Sequence, residues 1–183
     1  MTKKKIDCKG TACCAPTANG SHRGRRIRHV STSPARTMAL ARRFARLLPP
    51  GAVVFLEGPL GAGKTVFVRG MAQAFGVDRR TVHSPSFLLM HDYGGLVHID
   101  CYRLRRAEPE TLMETGLWEA LEGERIKAVE WPPAAVKRRF RKAWKVRIRF
   151  ADAGGRTIEL PDTEEGGHRP RPLRGGKRSR RAP

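Results

Sequence analysis

A chain of 183 residues is long enough for one domain with a sizeable core, which excludes a mini-protein held together by disulfides. Thirty-seven Lys and Arg against 17 Asp and Glu leave a net charge of +20, and charge of that size points to an anionic partner such as RNA, DNA or a phosphate-rich surface. Arg outnumbers Lys 27 to 10, with Asn19 and Gln73 the sole residues of their kinds, a composition that a GC-rich genome also produces.

No run approaches the ~20 apolar residues of a membrane span. Met1 to Cys8 is charged but has no apolar stretch behind it, so it does not read as a secretory signal, and a cytoplasmic protein with no membrane partner is expected. Cys8, Cys13, Cys14 and Cys101 have neither the spacing of a disulfide framework nor that of a zinc site, and free thiols are expected.

The charge is unevenly spread. Residues 1–28 and residues 166–183 carry +7 each, are rich in Gly, Pro, Ser and Thr, and lack apolar periodicity. Such segments bury too little surface to offset their ordering entropy. The organisation expected is therefore a basic disordered tail over 1–28, a folded domain over 29–162 and a second basic disordered tail over 163–183.

Within the domain, Ser33-Pro34 has the form of a helix start, and Met38, Ala41, Phe44 and Leu48 recur at helical spacing until Pro49-Pro50. Val53 to Leu56 is a short apolar, β-branched run of the kind that forms a buried parallel strand. Residues 64–75 follow as a helix closed by Gly76. Phe87–His91 and Leu96–Asp100 read as strands joined by a Gly94-Gly95 turn, and Glu108-Pro109-Glu110 opens a helical stretch to about Leu121. Ile126–Val129 is a further strand, and the alternation of Val146, Ile148 and Phe150 with a turn at Gly154-Gly155 into Thr157–Leu160 makes a terminal hairpin. The fold class expected is α/β: a P-loop NTPase-like sheet with flanking helices, parallel core strands and antiparallel hairpins.

Gly58-Pro-Leu-Gly-Ala-Gly63-Lys64-Thr65 fits G-x-x-x-x-G-K-[ST] and lies between a buried strand and a helix, as a phosphate loop must. Glycines let successive backbone N–H groups turn inward around phosphate oxygens, and the helix N-terminus favours negative charge there. Lys64 supplies a point charge to the β- and γ-phosphates, and the Thr65 hydroxyl is placed to bind Mg²⁺. A phosphate loop also needs an acid at the tip of another strand to hold or orient the hydrated metal. Asp100 and Glu130 both qualify, each following an apolar run as a carboxylate at the carboxyl edge of a sheet does. Guanine readers use an Asn-Lys-x-Asp element that this chain cannot form, since Asn19 precedes the first strand; ATP is favoured over GTP.

The ordered motifs Leu60-Gly-Ala-Gly-Lys-Thr65, Val82-His-Ser-Pro-Ser-Phe87, His98-Ile-Asp-Cys-Tyr-Arg-Leu104 and Val129-Glu-Trp-Pro132 closely resemble the bacterial TsaE (YjeE) family, over roughly residues 30–160. The resemblance implies a P-loop ATPase, weak alone and stimulated by partners, that serves the synthesis of threonylcarbamoyladenosine at position 37 of tRNAs together with the TsaD–TsaB pair. It puts Lys64 on the phosphates, Thr65 and Glu130 on Mg²⁺, and Asp100 near the γ-phosphate to position or activate water. Ser84-Pro85-Ser86 becomes a switch-like segment and Trp131 a neighbour of the metal. The nucleotide site so implied comprises Gly58, Leu60, Gly61, Ala62, Gly63, Lys64, Thr65, Val66, Ser84 and Trp131. Three positions depart from the family: Val66 and Ser86 each stand where Thr is usual, and Cys101 where Leu is, the last packing as a small hydrophobe.

Other residues carry two readings. Arg103 either lies near phosphate or tRNA or pairs with an acid. Trp118 reads as helix packing rather than a base-stacking platform, and His91 and His98 as structural imidazoles rather than metal ligands. Residues 137–149 hold eight Lys and Arg, no acid, and Phe140 and Trp144 between them. That pattern fits RNA or partner contact, and equally a basic surface whose apolar residues face the core. The alternative function is thus a nucleic-acid-binding P-loop protein, switched by nucleotide, that uses its basic segments.

Overall fold

The computed structural model describes residues 25–85, 89–152 and 154–162. Their elements in chain order are β1 (Arg26–Ser31), α1 (Pro34–Ala45), β2 (Val53–Glu57), α2 (Lys64–Gln73), β3 (Met90–Asp92), β4 (Leu96–Asp100), α3 (Pro109–Met113), α4 (Leu117–Leu121), β5 (Ile126–Glu130), α5 (Ala134–Arg139), β6 (Trp144–Phe150) and β7 (Arg156–Pro161). The strands form one sheet in the order β1-β7-β6-β2-β5-β4-β3. Its centre, β6-β2-β5-β4, is parallel, and the outer pairs β1-β7, β7-β6 and β3-β4 are antiparallel, so the expected mixed α/β sheet is what forms.

Strands β2, β4 and β5 are buried on both faces, β2 as a continuous apolar run over Val53–Leu56 and β4 and β5 with His98 and Lys127 set among their apolar residues. The two-residue period splits β2 between two cores. Val54 and Leu56 join Phe44, Phe67, Met71, Val146 and Ile148 beneath α1 and α2. Val53 and Phe55 join Val97, Ile99, Val129, Leu112 and Val136 on the opposite face. Ser33 caps α1 by accepting the Arg36 backbone N–H at 3.3 Å, with Pro34 in the first turn as its sequence signals. Helices α1 and α2 touch at Gly70, where a Cβ would lie 2.4 Å from the Met38 carbonyl oxygen; only glycine permits that approach.

Three expectations are corrected. Strand β1 begins at Arg26, inside the segment read as a tail. Its side chains are mostly exposed, so no apolar pattern marks it, and it exists through backbone pairing with β7, from Arg26 opposite Pro161 to Ser31 opposite Arg156. The stretch read as one helix to Leu121 is two short helices, because Gly116 is left-handed at φ +68° and turns the chain between them. The strand expected over Phe87–His91 is Met90–Asp92, residues 86–88 lying outside the described residues. Residues 1–24 and 163–183, which hold nearly all of both tails, lie outside them too. Among the described residues no helix is long and apolar enough to cross a membrane.

Candidate nucleotide site

Strand β2 ends at Glu57, the loop 58–63 turns sharply, and α2 begins at Lys64. Gly58 is pressed against the neighbouring strand: a Cβ there would lie 2.1 Å from the Ile148 carbonyl oxygen. Gly63 takes φ +101°, a left-handed conformation that costs an L side chain about 1 kcal/mol or more. The loop is thus written for backbone contact and leaves its N–H groups at the head of α2.

Lys64 is 4% exposed, and its Nζ donates to the Gly58 and Pro59 carbonyls at 3.0 and 2.8 Å, folding back over its own loop. Burial lowers its pKa, while the negative charges of Glu130 and Asp100 oppose that shift. Nζ also lies 3.9 Å from the centre of the Trp131 ring, and the ring meets Tyr102 edge-on at 5.2 Å. Trp131 reaches this position with φ +56°, a strained backbone for a bulky residue directly after Glu130.

The two acids meet from adjacent strands. Asp100 ends β4, Glu130 ends β5, and they are register partners, 5% and 3% exposed. Glu130 Oε1 accepts the Thr65 hydroxyl at 2.9 Å and faces His98 Nε2 at 3.0 Å. Asp100 accepts the Ser84 hydroxyl on Oδ2 at 2.5 Å and the Tyr102 backbone N–H on Oδ1 at 3.0 Å. Lys64, Thr65, Ser84, Asp100, Glu130 and Trp131 are thereby brought into one contiguous site. Leu60 stands apart as an exposed side chain at the tip of the loop, so its own contribution is confined to backbone. Ser86 lies outside the described residues.

Arg156 is a residue sequence reasoning passed over. It opens β7, yet its guanidinium reaches back to the loop, donating from Nε to Ala62 O at 2.9 Å and from Nη2 to Gly61 O at 3.3 Å. It borders a cavity of about 240 Å³ that Ser33, Thr37, Val66 and Gly155 also line. An arginine at the start of a hairpin's second strand carries no local signal that it will cross to a loop some ninety residues earlier.

The ambiguous residues now sort themselves. Trp144 is 8% exposed and packs edge-on against Phe44 at 6.0 Å, and Phe140 packs against the second core. Of the two readings of segment 137–149, this packing favours the one in which its apolar residues face the core, with Trp144 buried in it and Phe140 half-buried against it. Part of the segment's charge is paired, Lys137 and Arg147 with Glu57 and Arg139 with Glu122. Trp118 packs against the same core with Arg139 over its ring, as a packing residue does. His91 lies beside the Tyr93 ring at 4.6 Å, and Arg103 is exposed.

Residues 31–158 match the family described as "Threonylcarbamoyl adenosine biosynthesis protein TsaE". The chain belongs to the TsaE family. It is 38% identical over 111 residues to the tRNA threonylcarbamoyladenosine biosynthesis protein TsaE of Bacillus subtilis, covering 58% of this chain and 67% of that one. The TsaE protein of Treponema pallidum is 34% identical over 137 residues, 73% of this chain and 99% of its own. Among solved structures, Bacillus subtilis YdiB superposes with a TM-score of 0.57 at 27% identity over 77% of this chain and 88% of that one. The family match begins at Ser31 and so takes in α1, both strand-end acids and Arg156.

Among the described residues no group of three or more His, Cys, Asp or Glu could hold a metal ion alone. Mg²⁺ is usually held by one or two carboxylates together with substrate phosphates and water. The donor set fits: a hydroxyl from Thr65, carboxylates from Glu130 and Asp100, and a loop whose lysine occupies itself with carbonyls.

Proposed function

We propose that the protein binds and hydrolyses ATP with Mg²⁺, as the ATPase component of cytoplasmic tRNA threonylcarbamoyladenosine synthesis, acting with TsaD and TsaB. The observation that carries this reading is the hydrogen bond between Thr65 Oγ1 and Glu130 Oε1, 65 residues apart in sequence, at the mouth of a glycine loop. The names of the relatives support the pathway, and the site supports the chemistry.

In this reading the backbone N–H groups from Leu60 to Val66 cradle the phosphates and Lys64 leaves its two loop carbonyls for them. Thr65 and Glu130 would hold the metal, which would supply positive charge against the phosphates. Asp100, held in place by two donors, orients the attacking water and accepts its proton. Ser84 reports on the site by its bond to Asp100, as a switch segment must. The nucleoside takes the cavity of about 240 Å³ beside Val66. Val66 provides no hydroxyl there, so affinity depends on the backbone cradle. Basic segments outside the core supply any tRNA contact.

The test is ATP turnover by the protein alone and with TsaD and TsaB of the same organism. Little turnover alone and marked stimulation by the pair is the expected result, with Lys64→Ala and Glu130→Ala inactive in both. Equal turnover in the two conditions refutes the partner role.

A further inference from the structure

His98 lies in the middle of the sheet at 0% exposure, two residues before Asp100 on the same face of β4. Its Nε2 is 3.0 Å from Glu130 Oε1, while its Nδ1 is buried with no hydrogen-bond partner among the described residues. A carboxylate only accepts, so Nε2 carries the proton and donates. The imidazole is then half satisfied, and a buried polar atom without a partner costs free energy. An apolar side chain would fill this core position without that cost. What the imidazole adds is one directed donor, aimed at Glu130.

Glu130 Oε1 receives two donors, Thr65 from the head of α2 and His98 from β4. Two donors from different elements on one oxygen fix the plane and reach of the carboxylate. Thr65 cannot do this alone, because in the proposed function its hydroxyl is itself a metal ligand. We infer that His98 is a positioning residue for Glu130, holding the carboxylate oriented for Mg²⁺ while making no contact with nucleotide or metal. The inference rests on the metal role assigned to Glu130 above.

The experiment uses the full chain and a fluorescent ADP analogue, titrated with the protein in EDTA and then across a Mg²⁺ series. For His98→Leu the Mg²⁺ concentration giving half of the metal-dependent gain in affinity rises about 10- to 100-fold, the usual cost of losing a partner behind a metal ligand. Affinity in EDTA stays unchanged, which a merely misfolded site would not allow. His98→Gln, whose amide N–H can replace Nε2–H, moves back toward the native value. In a Glu130→Ala background the leucine substitution has no further effect. Should His98→Leu fail to fold in thermal melts, His98→Asn, with an amide too short to reach Glu130, takes its place against the glutamine.

A native Mg²⁺ midpoint in the leucine or asparagine variant overturns the inference, as does an equal loss in the glutamine variant. A native protein whose nucleotide affinity ignores Mg²⁺ removes instead the metal reading of Glu130, and the inference falls with it; the two failures are told apart by the native titration alone.

Discussion

Asp100 and Glu130 stand side by side at the carboxyl ends of adjacent parallel strands, in register and both buried. Two carboxylates so placed repel each other, and hydrogen-bond donors offset that repulsion. Each has them: Ser84 and Tyr102 N–H for Asp100, Thr65 and His98 for Glu130, and the Lys64 charge acts on both. In the proposed function Glu130 of this pair holds the metal and Asp100 orients water.

Asp100→Asn keeps the shape and the Tyr102 contact but cannot accept a proton. Partner-stimulated ATP turnover is expected to fall about 10²- to 10⁴-fold, the span typical of a lost general base. Nucleotide affinity, followed by fluorescence, stays within a few-fold. A variant retaining native turnover removes Asp100 from the water-orienting role.

Lys64→Ala removes a buried cation that lies over the Trp131 ring and interacts with the charges of Glu130 and Asp100. Turnover is expected to drop about 10²-fold or more, as when a preorganised charge at the reacting phosphate is lost. Nucleotide binding weakens in the same variant, and Trp fluorescence shifts because the cation above the ring is gone. Unaltered nucleotide affinity contradicts this.

Gly58→Ala forces a methyl group to 2.1 Å from the Ile148 carbonyl oxygen, with backbone on both sides of the contact. The loop must separate from β6, and the cost is expected at about 1–3 kcal/mol, as for overpacking elsewhere in a core. Thermal melts of native and variant protein measure it directly, and an unchanged midpoint means the approach is looser than described.

Cys101 is fully buried beside Asp100, and burial together with that negative charge pushes its thiol pKa up from 9.0 to about 12. The thiolate is the reactive species, so iodoacetamide at pH 8 is expected to leave Cys101 unmodified in the native protein and to label it after unfolding, as read by peptide mass spectrometry. The linkage has a sign. Between pH 9 and 12 the unfolded thiol ionises and the folded one does not, so this group makes stability fall as pH rises through that window.

Trp144→Ala tests the nature of the basic segment. Trp144 fills space against Phe44, so the truncation is expected to cost about 3–5 kcal/mol in denaturant melts. Were the ring a base-stacking platform instead, the variant would lose RNA affinity with stability intact.

By itself the sequence determined the layer architecture, the phosphate loop between β2 and α2, both strand-end acids and the four motifs of the family. All of these are local: apolar runs of strand length, caps, glycines at fixed spacing and an acid directly after a buried run. Strand β1 was not legible because an exposed edge strand is made by pairing with β7 and needs no apolar face. Nor was the fate of Phe140 and Trp144, since alternating basic and aromatic residues look alike whether the rings face RNA or a core.

Tertiary structure alone decided which acid meets which donor. Position along the chain offered Asp100 and Glu130 as equals and only the family resemblance split their roles; the fold gave Glu130 to Thr65 and His98, and Asp100 to Ser84, because β5 lies beside β2 and β4 lies one strand further out. It also brought Arg156 onto the loop at Gly61 and Ala62. Contacts between residues distant in the chain depend on strand order and register, and those are set by how the whole sheet packs rather than by any pattern a single segment carries.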